Sequence, residues 1–150
     1  MDSYDEAAAI ETIDYYDGIY LPSFYILRSE SMEKIKVTKG EIYYTILDPV
    51  IGSEQAGLRP CVILQNDTGN EYSPTTIIAP ITTQEKSPVP MHVVLKDVFL
   101  IPGSTLLLEQ IRAVDKSRLK FRLGMISEKS ISEIDKAIIK NFIYGGDKHG

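Results

Sequence analysis

Glu41-Ile42-Tyr43-Tyr44-Thr45-Ile46-Leu47, followed by Asp48-Pro49-Val50-Ile51-Gly52-Ser53-Glu54-Gln55-Ala56-Gly57-Leu58-Arg59-Pro60 and then Cys61-Val62-Ile63-Leu64-Gln65, is the stretch whose reading decides the fold. Its first seven residues are β-branched, aromatic or aliphatic, a composition that fits a pleated, partly buried surface. Gly40 opens this strand, and Asp48-Pro49 ends it. Cys61–Gln65 is a continuous apolar run, the pattern of a strand covered on both faces. Val50–Leu58, with glycines at 52 and 57, reads as a long loop joining the two strands.

Towards the C-terminus, Asn66–Pro74 reads as a turn-rich loop and Thr75–Thr82 as a strand with Pro80 near its end. Met91–Leu95 and Thr105–Val114 complete five or six expected strands. Ser127 has the character of a helix cap, and Glu128 suits the positive end of a helix dipole. Ile131, Ile134, Ile138, Ile139 and Phe142 recur at helical spacing, so one face is expected to pack on the sheet. Gly145-Gly146 end this helix. Antiparallel strands with one terminal helix predict an α+β fold, a small twisted barrel. Its edges and helix leave apolar surface that invites a dimer.

Residues 1–36 read as an extension to a domain spanning 37–150. The extension carries eight acids and three bases, hence the whole net charge of −5, while the rest of the chain is balanced. Asp5–Ile13 is Ala-rich and suits a short helix capped by Ser3 or Asp5. Tyr15, Tyr16, Tyr20, Phe24 and Tyr25 then crowd around Gly18 and Pro22. Such an acidic, aromatic arm either docks or stays mobile. Docked on its own barrel, it would occupy a binding surface.

Hydrophobic content of 43% and charged content of 25% are those of a soluble domain. No apolar run approaches the length of a membrane helix, and the acidic N-terminus is unlike a secretory leader. The single cysteine, Cys61, is read as a buried, inert thiol in a reducing cytosol. Several nuclease chemistries lack their residues. Only His92 and His149 are available for paired imidazole catalysis, and His149 lies in a Gly-flanked tail. Glu133 and Asp135 sit two apart on a helix and point to different faces, a poor start for a two-metal site. There is neither zinc-ligand spacing nor a glycine-rich phosphate loop, so no metal or nucleotide cofactor is expected.

Polar residues bordering the buried strands remain: Ser53, Glu54, Gln55, Arg59, Gln65, Asn66, Asp67, Thr82, Glu109, Gln110 and Arg112. A guanidinium where a loop enters a strand can clamp a phosphate at two points, and a hydroxyl can donate beside it. Equally, Arg59 could pair with Glu54, and Thr82 could simply end a strand. The basic series Arg112, Lys116, Arg118, Lys120 and Arg122, broken by Asp115, suits a phosphate backbone or a solvated face.

The 48–60 block, Gln65-Asn66-Asp67-Thr68-Gly69-Asn70, Tyr72-Ser73-Pro74-Thr75, Ile81-Thr82, and Leu107-Leu108-Glu109-Gln110-Ile111-Arg112-Ala113-Val114-Asp115-Lys116-Ser117-Arg118-Leu119 resemble, in order and spacing, the MazF/PemK toxins. The resemblance covers about residues 38–143. It implies an SH3-like barrel, a homodimer, an acidic antitoxin partner and residence in the bacterial cytoplasm. It also implies metal-independent cleavage of single-stranded RNA (mRNA) by 2′-hydroxyl attack, leaving a 2′,3′-cyclic phosphate. Arg59 and Thr82 match the family's catalytic positions. Ser53, Glu54, Gln55, Asn66, His92, Glu109, Gln110 and Arg112 are the expected RNA-binding set. An arginine is a poor base because it stays protonated, so Arg59 is assigned to phosphate stabilisation, with Glu54 or a water open as base. Ala56 stands where a glycine is usual, Met91 where a threonine is usual, and Pro80 where the family has small residues. Residues 1–36 have no counterpart in the family. Two alternatives share the resemblance: a non-catalytic toxin of the same barrel type that binds DNA gyrase, and a self-restrained relative used as a binding module.

Overall fold

A computed structural model describes residues 36–144, together with the backbone of 13–16 and 19–22. Strands β1 (Ile13–Tyr16) and β2 (Ile19–Pro22) pair antiparallel, Tyr16 opposite Ile19. The dipeptide between those two partners is Asp17-Gly18, a strong sequence signal for a tight hairpin. The sequence reading gave this stretch no strand. Ile13, taken there as the end of a helix, belongs to β1. The rest of that helix, with Phe24 and Tyr25, lies outside the described residues.

The main sheet has seven antiparallel strands: β3 (Glu41–Ile46), β4 (Leu58–Ile63), β5 (Thr75–Thr82), β6 (His92–Val94), β7 (Thr105–Leu107), β8 (Arg112–Asp115) and β9 (Leu119–Met125). They run in the order β6-β7-β5-β4-β3-β9, with β8 also on β5. β5 is the hub: 75–78 pair with β8, 78–80 with β4, and 81–82 with β7. The single strand expected over Thr105–Val114 is therefore two, separated by a 3-10 turn at Leu108–Gln110. The break lies alongside Ala79 and Pro80, and proline has no N–H for a ladder.

Alternation divides the core in two. Ile42, Val62, Ala79, Ile81, Val93 and Leu106 face one side, where helix α2 (Glu128–Ile138) adds Ile134 and the half-buried Ile131 and Ile138. Tyr43, Cys61, Ile63 and Ile78 face the other side, which Val114 of β8 and Leu119 of β9 close. The sheet thus curls on itself, as a small barrel does, and the α+β class stands. Ser127 caps α2 by accepting from Ser130 N. Gly40, at φ 91°, lets α2 come close, since a Cβ there would meet Ile131 Cδ1 at 2.7 Å. Ile139 and Phe142, expected to pack inward, are instead exposed at 44% and 48%. The helix widens there to a π-turn over Ile139–Ile143, closed by Tyr144 N donating to Ile139 O, and its facing shifts.

Two further elements differ from the sequence reading. Asp67–Tyr72, read as loop, is a short helix, α1. Leu119–Met125, which holds Lys120 and Arg122 of the basic series, is an edge strand whose Phe121 stacks on Tyr44 with centroids 4.5 Å apart.

Candidate active site

The β4–β5 register places Cys61 opposite Pro80. That pairing ends there, and Arg59 and Thr82 lie two residues beyond it, each on the sheet face of the Cys61–Pro80 pair because side chains alternate. β4 begins at Leu58, three residues earlier than its apolar run, and Pro60 sits opposite Tyr44. Arg59 is therefore on a strand, not on the loop before it. Its Nε donates to Ala56 O at 3.0 Å, so it does not pair with Glu54. That bond fixes the guanidinium plane, and its terminal amino groups have no hydrogen-bond partner among the described residues.

Thr82 is 4% exposed, and its Oγ1 accepts from Gln84 N at 3.2 Å. The hydroxyl hydrogen is left to donate elsewhere. Beneath the pair lies Cys61, fully buried. Burial pushes its thiol up to about 12, against smaller opposing effects of a Thr45 hydrogen bond and the Arg112 and Arg59 charges. Both guanidinium groups therefore stand near one buried sulfur, and that sulfur stays a neutral thiol.

The 48–57 loop arches over this end. Its base is closed by Leu47 N to Gly57 O at 2.9 Å and Gly57 N to Asp48 Oδ2 at 3.1 Å. The Asp48-Pro49 bond is cis. Ser53 and Glu54 are exposed near the tip, beside Ile51 at 82%. Three groups from across the sheet hold the loop. Arg112 donates to Leu47 O at 3.0 Å, Arg118 donates to Ile46 O at 3.1 Å and to Asp48 O, and Gln55 N donates to Gln110 Oε1 at 3.3 Å. Much of the basic series is thus employed internally: Lys116 bonds Asn70 O, and Arg122 pairs with Glu41 at 3.3 Å. Arg118 as a loop clamp was missed. Its place is set by a 3-10 turn, Lys116–Arg118, which Asp115 caps by accepting from Ser117 N and which leads into β9.

Glu109 stands on the 3-10 turn beside Gln110, and its Oε1 lies 2.7 Å from His92 Nε2. His92 shares the face of Thr82, because Thr82 opposes Thr105 and Leu107, two residues on, opposes His92. Arg59, Thr82, Arg112, Gln55, Gln110, Glu109 and His92 therefore gather at one end of the sheet. Asn66 does not join them. It caps α1, accepting from Gly69 N at 2.8 Å, beyond the other end of β4. Seven extended residues span about 20 Å. Among the described residues, no group of three His, Cys, Asp or Glu could hold a metal ion, and no helix is long and apolar enough to cross a membrane.

A family model described as PemK-like, MazF-like toxin of type II toxin–antitoxin system matches residues 38–142. Among solved structures, MazF from Deinococcus radiodurans is similar at 21% identity and TM-score 0.63, covering 71% of this chain and 96% of that one. A MazE–MazF complex from the same organism is similar at 21% identity and TM-score 0.59, covering 71% and 95%. An endoribonuclease in complex with its cognate antitoxin from Mycobacterial species is similar at 19% identity and TM-score 0.59, covering 69% and 92%. Likeness at such identity shows the fold.

Proposed function

The chain belongs to the PemK-like, MazF-like toxin family of type II toxin–antitoxin systems, and on that premise we propose that it is a sequence-selective, metal-independent endoribonuclease acting on single-stranded RNA. The observation that supports this reading is the β4–β5 register, with Arg59 and Thr82 each lying two residues beyond the Cys61–Pro80 pair and on its face. In the proposed reaction a 2′-hydroxyl of the RNA attacks the adjacent phosphorus, the 5′-oxygen departs with a proton, and a 2′,3′-cyclic phosphate remains. The phosphorane gains negative charge. A guanidinium fixed through its Nε, with its terminal donors free, stabilises that charge without reorganising, an effect of about a hundredfold or more. Thr82 donates to a non-bridging oxygen while Gln84 N holds its own oxygen.

Thr82 is buried, so the phosphate reaches it only when this end opens. The loop held by Arg112, Arg118 and Gln110 is the segment assigned to that motion. Solved relatives include toxin–antitoxin complexes, and an acidic antitoxin segment is the proposed inhibitor of this groove. Ile143 and Tyr144, exposed at 67% and 68% beside Ile139 and Phe142, supply apolar surface for the proposed homodimer.

The test is incubation of the purified protein with a long RNA in EDTA, followed by mapping of the ends. The expected result is cutting at a short recurring sequence, with cyclic-phosphate and 5′-hydroxyl ends, and none on DNA of the same sequence. Cutting that stops in EDTA and returns with magnesium would overturn the reading.

A further inference from the structure

The site leaves one pair of titratable groups without a task in the chemistry: His92 and Glu109. His92 Nε2 meets Glu109 Oε1 at 2.7 Å, and His92 Nδ1 meets Ser87 O at 3.0 Å. Both partners are acceptors. Both ring nitrogens are therefore engaged by the protein. The His92 side chain is 14% exposed and that of Glu109 37%. The imidazole is therefore set into the protein at two points, while the carboxylate it holds faces outward.

We propose that Glu109 accepts the exocyclic amine of an adenine or cytosine in the RNA, and that His92 is the positioning residue holding its carboxylate for that contact. The inference rests on the endoribonuclease reading above. Three features of the site carry it. First, His92 occupies Oε1, and no described residue bonds Oε2, so one anionic acceptor faces solvent. Second, the neighbouring Gln110 bonds Gln55 of the loop, which places Glu109 between that loop contact and His92. Third, a fixed anionic acceptor discriminates sharply. An amine donates to it, whereas the carbonyl that uracil or guanine carries at that position would turn a lone pair toward the carboxylate. As a plain surface ion pair, the two groups would contribute little to stability.

The experiment maps every cut in one long RNA made by the wild type, Glu109→Gln and His92→Gln, each at matched extent of reaction. The wild-type map is also the control: if the wild type makes no cuts, the endoribonuclease reading fails and takes this inference with it. Given wild-type cutting, one position of the recognised sequence should hold adenine or cytosine. Glu109→Gln should lower that preference tenfold or more, and His92→Gln should relax the same position and no other. A second arm uses short RNAs in which that base is changed from cytosine to uridine or from adenosine to inosine. The change should slow the wild type about tenfold and leave Glu109→Gln nearly unaffected. This arm depends on no variant at His92. Unchanged base profiles in both variants, or a uniform slowing at all sites, would overturn the proposal.

Discussion

The two ends of strand β4 carry similar polar residues and use them in opposite ways. At the α1 end the groups satisfy one another. Asn70, 2% exposed, donates to Gln65 O at 2.8 Å and accepts from Thr76 Oγ1 at 2.7 Å and Gln65 Nε2 at 3.2 Å. Lys116 bonds the Asn70 carbonyl, and Asn66 caps the helix. At the Arg59 end the hydrogen bonding stops short: one nitrogen of Arg59, one oxygen of Glu109 and the amide oxygen of Gln110 are engaged. The remaining donors and acceptors of these three side chains have no hydrogen-bond partner among the described residues. A closed network rigidifies a fold, whereas an open one is what a ligand completes. The comparison separates structure from function where residue type does not.

Substitutions at the two ends should therefore fail differently. The largest effect is expected from Arg59→Ala, a loss of about a hundredfold or more in single-turnover cleavage with little change in melting temperature. Arg59→Lys should rescue poorly, because an ammonium lacks the planar two-point contact. A wild-type rate in both would move the site elsewhere. At the other end, Asn70→Ala strands Thr76 and Gln65 and should cost about 2–3 kcal/mol of stability in denaturant unfolding. Assayed where it is folded, this variant should cut as fast as the wild type. Asn66→Ala removes a cap and should cost about 1 kcal/mol, with base preference unaltered. A change in cleavage pattern on losing Asn66 would erase the distinction between the ends.

How far the sequence carried this distinction depends on what decides each element. β3, β5 and β6 were legible because their apolar residues lie at strand spacing within short runs bounded by Gly, Pro or Asp. The Ser127 cap was legible for a local reason, its own side chain bonding three residues on. Longer-range causes were not legible. Thr105–Val114 looks continuous until Pro80, on a different strand, interrupts its pairing. Arg118 resembles a phosphate ligand until the 3-10 turn before β9, Lys116–Arg118, carries it to the loop carbonyls. Asn66 resembles a groove residue until α1 forms behind it. Arg59 and Thr82 were reached through the ordered family blocks. The β4–β5 register adds a physical reason to propose that these residues, 23 positions apart in the chain, work together.

The most direct test of the contrast is amide chemical-shift mapping with a non-cleavable RNA, one carrying 2′-deoxyribose at the mapped cut. The account predicts shifts at Ser53–Arg59, Thr82, His92 and Glu109–Arg112, with Gln65–Thr76 unmoved. Shifts centred on Gln65–Thr76, with the Arg59 end silent, would contradict it.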